Sequence, residues 1–112
     1  MLYNMIDKVS TKIVGQTNIE EVKGYIISDE TYHTCDNNIF IIKNVPNCNF
    51  YLNSEKSKHV IVKSLTKSII IPDINKIDER YDDVELNVGA CIELFFTNGC
   101  WYILSSDGMK TI

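Results

Sequence analysis

Cys91-Ile92-Glu93-Leu94-Phe95-Phe96-Thr97-Asn98-Gly99-Cys100-Trp101-Tyr102-Ile103-Leu104 is the stretch on which the fold class turns. Asn-Gly accepts the positive φ values of a type I′ turn, whose twist matches that of two paired strands, so Asn98 and Gly99 predict a two-residue hairpin loop. The register follows: Thr97 opposite Cys100, Phe96 opposite Trp101, Phe95 opposite Tyr102, Leu94 opposite Ile103 and Glu93 opposite Leu104. Successive strand residues point to opposite faces. Ile92, Leu94, Phe96, Trp101 and Ile103 therefore share one face, read as core, while Cys91, Glu93, Phe95, Tyr102 and Leu104 share the other. Both faces are largely apolar, whereas a free antiparallel hairpin turns one polar face to water. Two coverings are needed: the domain's own core for one face, and for the other either a neighbouring subunit or further parts of the same chain. The same register puts Cys91 and Cys100 about 20 Å apart at roughly 3.3 Å per residue, which excludes a disulfide between them.

Upstream, short β-branched and aromatic runs alternate with Asn, Asp, Ser, Gly and Pro clusters, the pattern of an all-β domain. The runs are Tyr25-Ile26-Ile27, Ile39-Phe40-Ile41-Ile42-Lys43, Cys48-Asn49-Phe50-Tyr51-Leu52, His59-Val60-Ile61-Val62-Lys63, Ser68-Ile69-Ile70-Ile71 and Val84-Glu85-Leu86. Each is strand length, short of the ten or so residues of an ordinary helix. The turn signals in Asn44-Val45-Pro46-Asn47 predict a second hairpin joining the second and third runs. Four consecutive apolar residues in its first arm predict a strand covered on both faces. Residues 73–83 are charged and predict an exposed loop or a helical turn. The expected architecture is an antiparallel β-sandwich or jelly-roll-like domain over residues 17–112. Before it, in residues 1–16, Leu2, Met5, Ile6, Val9 and Ile13 recur at three- and four-residue steps. That spacing is compatible with a short amphipathic helix acting as an anchor on a larger assembly, or with a short helix or strand packed on the same domain.

A chain of 112 residues is one domain in size. With 45% apolar and 23% charged residues it has the balance of a folded protein rather than a disordered one. Its net charge of −4 and scattered lysines supply no phosphate-holding surface, so no nucleic-acid partner is expected. No apolar run approaches about 18 residues, so no membrane span is expected, and the N-terminus lacks the pattern of a secretory signal. Cys35, Cys48, Cys91 and Cys100 are widely spaced and form no Cys-x-x-Cys pair, which predicts free thiols serving as small hydrophobes and no metal. The glycines form no phosphate cradle, so no cofactor is expected. His33 and His59 are too few and too far apart for a nucleophile, base and orienting group. Cys35 stands two residues from His33, a spacing that shares a strand face without imposing a hydrogen bond. Binding or assembly, not enzymatic catalysis, is the function class these residues indicate.

Asn37-Asn38-Ile39-Phe40-Ile41-Ile42-Lys43-Asn44, then Cys48-Asn49-Phe50-Tyr51-Leu52, then Val84-Glu85-Leu86-Asn87-Val88-Gly89-Ala90-Cys91-Ile92-Glu93-Leu94, and finally Asn98-Gly99-Cys100-Trp101-Tyr102-Ile103-Leu104 follow one another in an order that resembles small β domains of phage and large-DNA-virus fibres, collars and minor capsid proteins. In those domains an Ile-Lys-Asn strand and hairpin precede a Gly-x-x-Ile-Glu-Leu segment, and a turn followed by Trp-Tyr-Ile-Leu closes the chain. The likeness spans residues 24–108; the four cysteines and the charged insertion at residues 74–83 depart from it. It implies a virion structural protein, a minor capsid, decoration or fibre component, made in the host cytoplasm and carried in the virion. Its implied partners are further copies of itself in a homotrimer and other virion proteins. The Cys91, Glu93, Phe95, Tyr102 and Leu104 face is then the oligomer contact, with aromatic anchors. The alternative is a monomeric carbohydrate- or peptide-binding β module, in which Tyr25, Tyr32, Tyr51 or Tyr81 would line one open groove.

Overall fold

The computed structural model describes residues 24–34 and 38–110. Leu2, Met5, Ile6, Val9 and Cys35, and with them the expected anchor, lie outside the described residues. Among those described there are eight strands and no helix: β1 Gly24–Ile27, β2 Thr31–His33, β3 Ile39–Ile42, β4 Asn47–Tyr51, β5 His59–Ser64, β6 Lys67–Ile71, β7 Val84–Thr97 and β8 Cys100–Lys110. The all-β expectation holds, and seven of these strands overlap the apolar runs read from the sequence. β2 alone had no such run.

The pairing order is different from the one expected. β1, β3 and β5 pair in parallel, as do β2, β4 and β6. Antiparallel pairing is confined to β7 and its neighbours β5, β6 and β8. The chain therefore winds as a flattened coil: each turn lays one strand in an odd-numbered wing, rounds a corner, and lays the next strand in an even-numbered wing. β3 and β4 consequently do not form the expected hairpin. Asn44, at φ 63°, and Pro46 do bend the chain. They turn it from one wing to the other, where β4 meets β2 and β6.

β7 retraces the coil backwards. Its first part pairs with β6 through Val84–Ile70 and Leu86–Ser68, and its second with β5 through Ile92–Val62 and Leu94–Val60. β8 then pairs along β7 as the last layer. The predicted register is found at Thr97–Cys100, Phe96–Trp101, Phe95–Tyr102 and Leu94–Ile103, with Asn98 and Gly99 both at positive φ. The fifth predicted pair, Glu93 with Leu104, is corrected: a bulge places Glu93 opposite Ser105. The extra residue of a bulge is left unpaired, and here it is Leu104, 57% exposed.

Between the wings lies one apolar core. Phe40 from the odd wing meets Phe50 from the even wing edge-on, ring centroids 5.1 Å apart, and Tyr32 tilts against both. Ile27, Ile42, Val60, Val62, Ile92 and Leu94 line the odd wing's inner side, and Cys48, Ile70, Val84 and Leu86 the even wing's. Burying each large side chain contributes about 1.5–3 kcal/mol. Of the expected core residues, Ile92, Leu94 and Trp101 are fully buried, while Phe96 and Ile103 pack against the core partly exposed. Two buried polar residues sit at a corner and satisfy each other: Ser68 donates to Ser64 Oγ at 2.9 Å, and Ser64 donates to the Thr66 carbonyl.

Candidate functional site

Two surfaces stand out, an outer face and a groove, and the long hairpin contributes to both. The outer face belongs to the odd wing. Register aligns Ile26, Ile41, Lys63 and Cys91 in one row, Ile39, Ile61, Glu93 and Ser105 in a second, and His59, Phe95 and Tyr102 in a third. All alternate with inward-pointing core residues, so all point away from the core. Ile26 is 58% exposed and Phe95 40%, and Ile39, Ile41 and Ile61 are partly exposed. The polar groups in the patch are turned to one another. His59 Nε2 lies 2.5 Å from Glu93 Oε2, Ser105 Oγ donates to Glu93 Oε1 at 3.3 Å, and the Lys63 ammonium donates to the Gly89 carbonyl at 2.7 Å. What remains available to a neighbour is mostly aliphatic and aromatic carbon. Cys91, Glu93, Phe95 and Tyr102 thus stand on this face, joined by isoleucines of β1, β3 and β5 that the hairpin reading alone did not bring there, while Leu104 is the exposed, unpaired residue of the bulge between Ile103 and Ser105.

The groove forms where residues 73–83 fold back over the hairpin tip. The sequence predicted an exposed loop or a helical turn, and residues 73–76, 79, 80 and 82 are exposed, while Ile77 is completely buried and anchors the segment. Asp78 then closes the outer edge of β8: its N–H donates to the Trp101 carbonyl at 2.8 Å, and its Oδ1 accepts from Ile103 N–H at 2.9 Å. Asn75 Nδ2 donates to the Gly99 carbonyl at 2.6 Å, and the Cys100 thiol to the Lys76 carbonyl at 2.9 Å. The Tyr102 hydroxyl donates to Glu79 Oε2 at 2.6 Å, and that bond, followed by desolvation and the Glu79 charge, pushes the phenol up to about 12. The result is an open groove of about 600 Å³ between Asn75, Lys76 and Glu79 on the loop and Asn98, Cys100 and Tyr102 on the hairpin.

At the start of the same loop, Asp73 ties three segments together. Its Oδ2 accepts from Ser54 N–H and Ser54 Oγ, both at 2.8 Å, and its Oδ1 accepts from the Trp101 indole at 2.9 Å. Burial would raise this carboxyl, but the donors from Ser54 and Trp101 together outweigh it and hold the group below the usual carboxylate range. Sequence reading missed Asp73, Asp78 and Glu79. One signal was present: a lone Ile77 in a charged run is where such a run can be pinned to a core.

The chain matches no protein-family model and no curated protein. Its surfaces must therefore be read from their own chemistry. His33 is stacked on Tyr51 at 4.7 Å, on the outer side of the even wing. Tyr32 and Tyr81 pack against the core, and Tyr25 tilts against Tyr32 at the first turn of the coil, ring centroids 5.7 Å apart. The four tyrosines singled out for a ligand groove do not share one. Among the described residues no three His, Cys, Asp or Glu side chains gather as metal ligands, and no helix is long and apolar enough to cross a membrane. Cys48, Cys91 and Cys100 are free thiols. Cys48 is buried, and burial, aided by the charge of Asp29, pushes its thiol up to about 11, so it serves as a small hydrophobe rather than a nucleophile.

Proposed function

We propose that this protein works by assembly without catalysis: a virion structural component, of minor capsid, decoration or fibre type, that associates with copies of itself, as a homotrimer, and with other virion proteins. One observation carries the reading, the apolar outer face of the odd wing. Parallel strands are normally covered on both faces. Here the inner face is covered by the even wing, whereas Ile26, Ile39, Ile41 and Ile61 lie partly or largely open beside Phe95. Symmetric self-association supplies such a cover with a single surface. The even wing covers the inner side of the odd wing, and a neighbouring copy would cover the outer side.

The test is the mass of the particle in solution. Sedimentation equilibrium at micromolar concentration is expected to give about three times the 12.8 kDa chain mass. Ile41→Lys, which places a charge in the middle of the face without touching the core, should return the protein to a monomer with an unchanged circular dichroism spectrum. A wild-type chain that stays at 12.8 kDa up to about 100 µM would remove the self-assembly reading.

A further inference from the structure

We propose that the groove at the hairpin tip is a binding site for a neutral carbohydrate, of a size to take a single pyranose ring. This goes beyond assembly: Tyr102 also stands on the outer face, but the groove it lines is completed by the loop at residues 75–79 and the type I′ turn.

The groove is held open by construction. Asn75 Nδ2 to Gly99 O, Cys100 Sγ to Lys76 O and Tyr102 OH to Glu79 Oε2 staple the loop to the hairpin across its floor and one wall. On the loop, Asn75, Asp78 and Glu79 lie in the left-handed region, at φ 56°, 55° and 63°; Asn98 and Gly99, at 52° and 77°, lie there as the type I′ turn requires. A glutamate there is unusual, and conformations of this kind persist where surrounding structure fixes them, often at ligand sites. A groove set in this way pays little ordering cost when a ligand enters.

Its chemistry selects the ligand. The lining carries one cation, Lys76, and one anion, Glu79, and Lys76 lies 3.5 Å from Asp82 outside the groove, so neither a phosphate nor a metal cation is matched. The Tyr102 ring is the single large apolar element of the lining, too little for an acyl chain. Among the described residues, the Asn98 side-chain amide, Asn75 Oδ1 and Glu79 Oε1 have no hydrogen-bond partner. Two amides, one carboxylate oxygen and an ammonium thus offer donors and acceptors around one aromatic face. A pyranose answers that pattern, with C–H groups to lay on the ring and hydroxyls to reach the amides. The volume of about 600 Å³ falls within the range of small-molecule sites.

The experiment is a titration of the full chain, followed by the backbone amide signals of Asn98, Gly99 and Tyr102. The probes are methyl β-D-galactopyranoside, methyl α-D-mannopyranoside and N-acetyl-D-glucosamine, with D-glucose 6-phosphate as the charged comparison. At least one neutral sugar should shift these signals saturably, with a dissociation constant on the order of millimolar, and the phosphorylated sugar should bind no better. Tyr102→Ala should weaken binding about tenfold and Tyr102→Phe, which keeps the ring, by less than about threefold. Asn98→Gly preserves the turn while removing the amide, and should weaken binding about fivefold. Absence of a saturable shift with all three neutral sugars overturns the proposal. So does equal binding by Tyr102→Ala or Asn98→Gly with a native spectrum, or tighter binding of the charged sugar.

Discussion

A single carboxylate, that of Asp73, closes the side of the coil where three segments meet. It receives the Ser54 amide and hydroxyl from the turn after β4 and the indole of Trp101 from β8, so it bridges positions far apart in the chain. Trp101 is fully buried, and a buried N–H left without an acceptor costs about 1–3 kcal/mol. Asp73→Ala is therefore expected to lower the stability at pH 7 by about 1–3 kcal/mol, read from the urea midpoint. The pH dependence has a definite sign. Because folding lowers this carboxyl, its contribution is complete above the unfolded value near 4 and is lost as pH falls through the folded one. The gap between wild type and Asp73→Ala should narrow from pH 7 to pH 3; equal midpoints at pH 7, or a gap that widens in acid, would contradict the bridging role.

At the scale of elements, the long hairpin has to bend where the coil turns its corner, and two glycines lie there. Gly89 has φ 85° and open space where a Cβ would be. Gly108 has φ 82°, and a Cβ on it would lie 3.0 Å from Ala90 Cβ and 3.2 Å from Ala90 Cα. Gly89→Ala should cost about 1–2 kcal/mol, from the left-handed backbone alone. Gly108→Ala should cost about 1–3 kcal/mol more, because Ala90 must also move, and an added Ala90→Gly change should recover part of that difference in thermal unfolding. The hairpin itself was legible because Asn98-Gly99 specifies both the existence of the turn and its geometry. Legibility stopped at Leu104, since a bulge reflects how β7 and β8 bend around the corner rather than which residue types they contain. The segment Asn44-Val45-Pro46-Asn47 shows the opposite limit. Pro and Asn announce a change of direction, yet the same residues serve a hairpin and a corner between wings. Likewise Asp78 and Glu79 read as solvated charges, while their roles depend on the β8 edge brought beside them by the fold.

For the whole molecule, the coil could not be read as a repeat because its steps are unequal. Residue 24 pairs with 39 and 39 with 61, steps of 15 and 22, while 31 pairs with 49 and 48 with 68, steps of 18 and 20. Parallel neighbours so spaced leave no fixed period for sequence comparison to detect. What unites the two wings is physical: Phe40 packs on Phe50 between them, and β7 is hydrogen-bonded to both. An independently unfolding wing would strip the other of its inner cover, so the coil should melt as one unit. Leu86, fully buried, lies on the part of β7 paired with the even wing, whereas Trp101 lies opposite Phe96 near the hairpin tip. Leu86→Ala should therefore destabilise the protein by about 2–5 kcal/mol and shift the urea midpoint equally whether followed by Trp101 fluorescence or by far-ultraviolet circular dichroism. If the Trp101 transition stayed at its wild-type position while the dichroism transition moved, the wings would be separate folding units, and β7 would be a tether between them rather than the strand that makes them one sheet.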